Sequence, residues 1–286
     1  MGEHEVVGRI RVHTGQLTAA ERRVAEVVLA DPRTIGFGTV AELAARAGAG
    51  AATVVRLATK LGYEGFSELQ ESVRRDLAHQ LRPASERIRE QAGPGVVEMH
   101  AATELSNVQG TLERADPATV DAVVERLTAL DRPVAVVSGD ASTGVARQFV
   151  DELTSLRPDV IALVGNDVAV RRTLATLPAD TTLLVLDLRR YDRWVLDLVA
   201  LAREHGCWIV ALTDSILSPL AGAARHTFML SAASVGPFDS HVGTLALLNL
   251  FVTETAARLG ETAPERLDRI EASWRDGQAL VDRLPS

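Results

Sequence analysis

From residue 17 to residue 80, apolar side chains recur at helical rather than strand spacing. Leu17, Val24, Val27 and Val28 line one face of a segment opening at Thr18-Ala19-Ala20-Glu21. That is a capping-box pattern, in which the Thr18 hydroxyl accepts an orphan backbone N–H and Glu21 reaches back to the cap. Asp31-Pro32 predicts the end of this helix, because proline restricts the residue before it. Thr39-Val40-Ala41-Glu42 repeats the pattern and predicts a short helix to about Ala47, broken at Gly48. Another helix is expected from about Ala51 to Leu61, closed by Gly62 in the left-handed conformation, and Ser67 opens a fourth running to about His79. The tract 81–95, with Pro83, Gly93 and Pro94, is the expected boundary, although SERIRE within it is compatible with helix. Residues 96–114, with Val97, Ala101, Leu105, Val108 and Leu112 at helical spacing, predict a helix, and 117–130 predict another.

After Arg132-Pro133 the pattern changes. Short apolar runs at 134–137, 160–164, 183–186, 208–212 and 227–230 alternate with helical stretches. Continuous apolar strands joined by helical crossovers predict a parallel sheet covered on both faces, with ligands bound beyond the carboxyl ends of the strands. The stretch 242–259, rich in Leu245, Leu248, Leu250, Phe251 and Val252, is too apolar for a solvated helix and is expected inside the sandwich or in a subunit interface. The stretch 264–284, with Leu267, Ile270, Trp274 and Leu280, predicts one more amphipathic helix.

The 286 residues, 47% hydrophobic, suffice for two domains of about 100 to 200 residues each. The expected division is a helical head at 1–80, a helical connector at 81–130 and a sandwich at 131–286. A charged fraction of 24% argues against wholesale disorder. No apolar run was expected to reach the roughly 18 to 20 residues of a membrane span. The start lacks a basic segment followed by an apolar core, and Cys207 has no cysteine to pair with, so a cytoplasmic location and no membrane partner are expected. The net charge of -8 at first argues against nucleic acid. It is unevenly distributed, however: residues 1–80 hold 10 basic and 10 acidic side chains, and 81–286 hold 20 and 28.

Helix, short Gly-containing turn and helix at 40–61 is the succession a helix-turn-helix needs. Between Ala45 and Tyr63 the charges are Arg46, Arg56 and Lys60, with no acid. Ala52, Thr53 and Arg56 are expected on one exposed face with Thr59 and Lys60 a turn on, leaving Val54, Leu57, Ala58 and Leu61 for the core. Arg46, Ala52, Thr53, Arg56, Thr59 and Lys60 are therefore the candidate DNA-binding residues, with Thr53 and Arg56 near bases or phosphates and Lys60 near phosphate. The alternative is an ordinary solvated surface.

The stretch 17–77 resembles the DNA-binding domain of RpiR-type bacterial transcriptional regulators, notably in ELA at 42–44, AG at 47–48, TVVRL at 53–57, KLGY at 60–63 and GFSEL at 65–69. The resemblance implies a winged-helix-like helix-turn-helix that binds double-stranded operator DNA as a dimer. Gly50 stands where these proteins usually carry a capping serine; glycine is a permitted N-cap at small cost.

Residues 133–260 resemble the sugar isomerase (SIS) domain that accompanies this head, best at IVALTDSILSPLAGAARHTFML, 209–230. The fold implied is α + α/β: an all-α helix-turn-helix domain followed by an αβα sandwich with five parallel strands. SIS domains commonly hold sugar phosphates among hydroxyls of two loops. Here the first loop reads Ser138-Gly139-Asp140-Ala141-Ser142-Thr143, keeping the serine and losing both glycines of the family's G-x-G-x-S. The second loop, S-x-S-G-x-T in the family, is replaced by Asp187-Leu188-Arg189-Arg190-Tyr191-Asp192-Arg193, similar to an arginine-bearing variant seen in some RpiR-type regulators.

The candidate ligand-binding residues are Ser138, Gly139, Ser142, Thr143, Arg189, Arg190, Thr213, Ser215, Ser218, Ser240 and His241. Arg189 or Arg190 can grip a phosphate or carboxylate through paired N–H bonds, or else serve a dimer interface or pair with Asp187 and Asp192. Thr213, Asp214, Ser215 and Ser218 can bond sugar-like hydroxyls or simply build a turn and cap. No histidine pair has ligand spacing, so no metal or cofactor is expected, and Cys207 and His226 are expected to pack. The leading expectation is a non-enzymatic transcriptional regulator controlled by a small anionic metabolite and assembled as a homodimer or homotetramer. The alternatives are a sugar-phosphate isomerase with Glu152 or His241 as base, and a ligand-independent dimeric DNA binder.

Overall fold

The computed structural model describes residues 5–30, 35–36, 38–80, 83–88, 95–215 and 218–280; the expected helix stop at Asp31-Pro32 and the Gly93-Pro94 part of the expected boundary lie outside them. The chain forms two compact units, 1–90 and 91–286.

In the first unit, α1 (Glu5–His13), which the sequence pattern did not announce, precedes α2 (Ala19–Ala30), α3 (Val40–Arg46), α4 (Ala51–Lys60) and α5 (Phe66–Gln80). Both capping boxes form. The Thr18 N–H donates to Glu21 Oε2 at 2.8 Å, and the Thr39 N–H donates to Glu42 Oε2 at 2.7 Å. Gly50 is the N-cap of α4, with no side-chain bond. The α3–α4 turn is held from outside: Arg23 donates to the Ala47 and Gly48 carbonyls, both at 3.2 Å, satisfying the end of α3. Arg9 does the same after α4, donating to the Leu61 and Gly62 carbonyls at 3.0 Å while lying 4.4 Å from the centre of the Tyr63 ring. Gly62 has φ +84°, the left-handed conformation a glycine tolerates without cost. Val24, Val28, Leu43, Val54, Leu57, Leu61 and Leu69 form the buried core beneath these helices.

A short helix, α6 (Ala84–Arg87), covers part of SERIRE. The second unit opens with α7 (Val96–Glu113) and α8 (Pro117–Thr128), then alternates β1 (Val134–Ser138), α9 (Thr143–Leu156), β2 (Val160–Ala162), α10 (Asp167–Thr176), β3 (Thr182–Leu186), α11 (Arg193–His205), β4 (Trp208–Thr213), α12 (Pro219–Ala223) and β5 (His226–Met229), and ends with α13 (Val242–Leu259) and α14 (Thr262–Asp276). All strand pairs are parallel, in the order β2-β1-β3-β4-β5. The chain leaves β1 toward one edge and returns on its other side as β3. That reversal opens a crevice at the carboxyl ends of β1 and β3, where ligands of such sheets bind. The sheet's two faces carry separate cores, one around Phe149, Leu153, Leu247 and Phe251, the other around Leu163, Val195, Leu198 and Ala202.

Contrary to expectation, helix α13 is by length and composition long and apolar enough to cross a membrane. It packs against α7, α8 and α9, with Leu247, Leu248 and Phe251 buried, as a core helix does. Helix α7 is turned inside out. Its buried residues are Asn107 and Thr111, whereas Val97 and Leu105 are 77% and 72% exposed. Asn107 exchanges two bonds with the Ala233 backbone, at 2.7 and 3.0 Å, and Thr111 accepts the Ser231 N–H at 2.9 Å. Gly243 permits the contact: a Cβ there would lie 2.8 Å from the Asn107 and Ser231 carbonyl oxygens.

Arg157 is fully buried after α9. It donates to the Leu127 and Arg132 carbonyls at 2.6 Å and to that of Pro158 at 3.0 Å, tying the end of α8 to the entry of β1.

Candidate functional site

The outward face of α4 consists of Ala51, Ala52, Val55, Arg56 and Thr59. At 100° per residue, Ala52, Val55, Arg56 and Thr59 fall on one stripe, and Thr53 falls with Val54, Leu57 and Ala58 on the opposite one. Thr53 is accordingly 7% exposed, which corrects its expected place on the open face. Its role is to orient a neighbour: its hydroxyl accepts from Arg56 Nη2 at 3.0 Å. Val55, 42% exposed, is the member of the face that the charge-led reading missed; the i+3 step from Ala52 would have found it. Arg46, at the last turn of α3, and Arg56 are exposed, and the Thr59 hydroxyl donates back to the Val55 carbonyl at 3.2 Å.

Lys60 is a second correction. Its ammonium donates to Glu21 Oε2 at 2.7 Å and to the Gln16 carbonyl at 2.9 Å, so it braces α2 and is not the free cation that the charge count suggests. The Lys60 bond, with help from the Thr18 N–H, holds the buried Glu21 carboxyl down at about 2. A depressed carboxyl stabilises the fold above its ordinary value near 4.5, and that contribution is lost as pH falls toward about 2. Lys60→Met is expected to lower the melting temperature of the protein by several degrees while leaving the salt slope of DNA binding unchanged. A slope reduced by about one at unchanged stability would assign Lys60 to phosphate after all.

At the strand ends of the second unit, Gly139 and Asp187 meet across the crevice, so closely that a Cβ on Gly139 would overlap the Asp187 carboxylate. Asp187 accepts the Asp192 N–H at 2.8 Å, and Asp192 in turn accepts the Asp140 N–H at 2.8 Å. Burial pushes the Asp187 carboxyl up to about 6, with the Asp192 and Asp214 charges adding to the effect. Because the native group holds its proton more tightly than the unfolded one, its stabilising share is complete below about pH 4 and is lost as pH rises through about 6. Asp187→Asn is therefore expected to raise the unfolding free energy at pH 8 by up to about 3 kcal/mol and to change little at pH 4. Denaturant titrations at the two pH values check this; equal destabilisation at both would mean that the carboxylate's bond outweighs its charge.

Beside this pair, Arg189 donates to Asp239 at 2.9 Å and lies 3.7 Å from Asp214. Two carboxylates thus hold the arginine expected to grip a ligand, and they are not the Asp187 and Asp192 weighed as its partners. Burial pushes the Asp214 carboxyl up against the Arg189 charge, and the Tyr191 hydroxyl, itself raised by burial, donates to it at 3.0 Å. Arg190 is exposed, with φ +67°.

The hydroxyls divide into two groups. Ser142 and Thr213 are fully buried; the Ser142 Oγ makes no hydrogen bond, and the Thr213 hydroxyl faces that of Tyr191. Ser218 caps α12, accepting the Leu220 N–H at 3.3 Å, and Ser240 is bound to Glu104 at 2.5 Å. Ser215 is buried, Ser138 is half-buried at the end of β1, and the exposed Thr143 donates to the Gly139 carbonyl at 3.3 Å. His241, just before α13, is shifted down by burial, against the Ala141 carbonyl and Asp239, and its Nδ1 has no partner. Glu152 lies about 14 Å along α9 from that helix's first residue, bonded to Gln148, away from the strand ends. Among the described residues no His, Cys, Asp and Glu cluster suits a metal ion.

The two units together define a helix-turn-helix protein carrying a SIS domain. A family model described as "Helix-turn-helix domain, rpiR family" matches residues 4–80, and one for the SIS domain matches 135–254. The chain is 27% identical to the HTH-type transcriptional regulator HexR of Pseudomonas aeruginosa over 274 residues, 93% of this chain and 94% of that protein. The sugar isomerase domain of an RpiR transcription factor from Sphaerobacter thermophilus aligns with a TM-score of 0.58 at 29% identity, covering 62% of this chain and 98% of that one. The Vibrio vulnificus NanR protein complexed with ManNAc-6P shares the fold at 20% identity, with a TM-score of 0.54 over 97% and 100% of the two chains. The chain belongs to the rpiR family of DNA-binding transcriptional regulators.

Proposed function

We propose that this regulator reads its operator with α4 and that a small sugar-derived metabolite, bound at the strand ends of the SIS domain, controls that binding. The observation that supports the ligand site is the fully buried, unbonded hydroxyl of Ser142 beside the crevice, since buried polar groups are ordinarily paired. NanR, of the same fold, was solved with a phosphorylated sugar. Arg190, exposed at the rim, is the cation best placed for an anionic group of the metabolite. On the head, Arg46, Ala52, Arg56 and Thr59 join Val55 as the proposed DNA contacts. Homodimerisation is part of the proposal, supported by the outward apolar stripe of α7, and the paired heads then match two operator half-sites. The effector changes the affinity for DNA, so DNA must change the affinity for effector by the same factor.

The regulatory relatives and the absence of Glu152 from the strand ends favour this reading over an isomerase. The test is retention of the protein's own promoter DNA at several salt concentrations, with and without a panel of sugars and sugar phosphates. Salt-sensitive, sequence-preferring retention that at least one metabolite shifts is the expected result. If no compound shifts it, the protein is a ligand-independent DNA binder.

A further inference from the structure

The loop after β1 is where the resemblance places a phosphate, and in this chain a carboxylate already stands there. The Asp140 N–H, first in the helical turn that follows β1, points at Asp192 Oδ2 at 2.8 Å. Behind it, the Asp187 carboxylate presses on Gly139 and receives the Asp192 N–H. An entering phosphate would have to displace Asp192 from its amide and settle beside Asp187, with Asp140 on the same loop. The half-buried Arg189, which follows β3, is already shared between Asp214 and Asp239. What remains unpaired is suited to hydroxyls. The Ser142 hydroxyl is fully buried in this loop without a bond, and Nδ1 of His241, whose ring faces the Ala141 carbonyl, has no hydrogen-bond partner. Carboxylates accept strongly from sugar hydroxyls and repel phosphate.

Resting on the regulatory reading above, we propose that the β1 loop is a hydroxyl subsite in which Asp192, backed by Asp187, is a built-in anion that determines specificity. The effector enters with an uncharged, hydroxyl-rich end against Ser142 and His241. Any phosphate it carries is excluded from this loop.

The experiment uses the full chain and inorganic phosphate, titrated at constant ionic strength and followed by calorimetry and thermal melting. The wild type is expected to show no saturable binding in the millimolar range. Asp192→Ala frees the amide and removes a charge, and should bind phosphate about ten- to a hundredfold more tightly, the worth of one regained charge-assisted bond. Adding Ser142→Ala should reverse the gain. Asp192→Asn keeps the acceptor without the charge, serves if the alanine variant does not fold, and should gain part of the effect. Saturable phosphate binding by the wild type that Ser142→Ala abolishes would overturn the proposal, as would a folded Asp192 variant with no gain. Inorganic phosphate that competes, in a Ser142-dependent way, with a sugar phosphate's effect on operator binding would sink the hydroxyl subsite and uphold the regulatory reading. A phosphate gain in Asp192→Ala, with no metabolite affecting the operator, would do the reverse.

Discussion

Arg157→Leu is expected to lower the stability of the C-terminal unit by about 3 to 5 kcal/mol. Its guanidinium is fully buried and bonded to three carbonyls, those of Leu127, Arg132 and Pro158. Leucine fills part of the volume but leaves these acceptors without donors, at about 1 to 3 kcal/mol each, partly offset because a charge is no longer buried. Burial pushes the guanidinium's pKa down, yet the side chain stays charged at any pH where the protein folds. Arg157→Lys should recover only a fraction, because an ammonium cannot span three separated carbonyls as the planar fork does. Denaturant unfolding of the variants measures both effects. A loss below about 1 kcal/mol for leucine would mean that water replaces the donor.

Arg56→Ala is expected to weaken operator binding by about 5- to 150-fold, the equivalent of 1 to 3 kcal/mol, with little change in melting temperature. Arg56 is exposed on the outward face of α4, and Thr53 fixes its direction. Thr53→Val should therefore act in the same direction but more weakly, since it removes only the orienting acceptor. Comparing the operator with a scrambled duplex separates two contacts: loss confined to the operator places Arg56 on a base, and equal loss on both, with a shallower salt slope, places it on a phosphate. Undiminished affinity in Arg56→Ala would remove α4 as the reading helix.

Much of this molecule was legible in local pattern. Capping boxes at Thr18–Glu21 and Thr39–Glu42 are read within four residues, and both form. The five apolar runs became five strands with ends moved by at most two residues, because a strand buried on both faces has little choice of residue. Glycine at position 50 was expected to cap α4 without a side-chain bond, and it does.

The misreadings arose where a side chain's partner lies far along the chain. Lys60 looked like a cation for DNA until the fold brought Glu21 to it across 39 residues. The apolar stripe of α7 looked like a core face, but the core side of that helix is held by Asn107 and Thr111 bonding to the 231–233 backbone. Arg189 and Arg190, adjacent in sequence, differ in space: the first is held by Asp214 and Asp239, the second is exposed at the rim.

The sequence by itself determined most of the elements, α1 excepted, the order of the strands along the chain and the family, because hydrophobic period, caps and short motifs are local properties. Only the tertiary structure decided which charges are spent inside the protein. Coulombic and hydrogen-bond partners are set by distances of a few ångströms between residues remote in sequence, and those distances placed Asp192 on the Asp140 amide, in the loop where the family resemblance puts a phosphate.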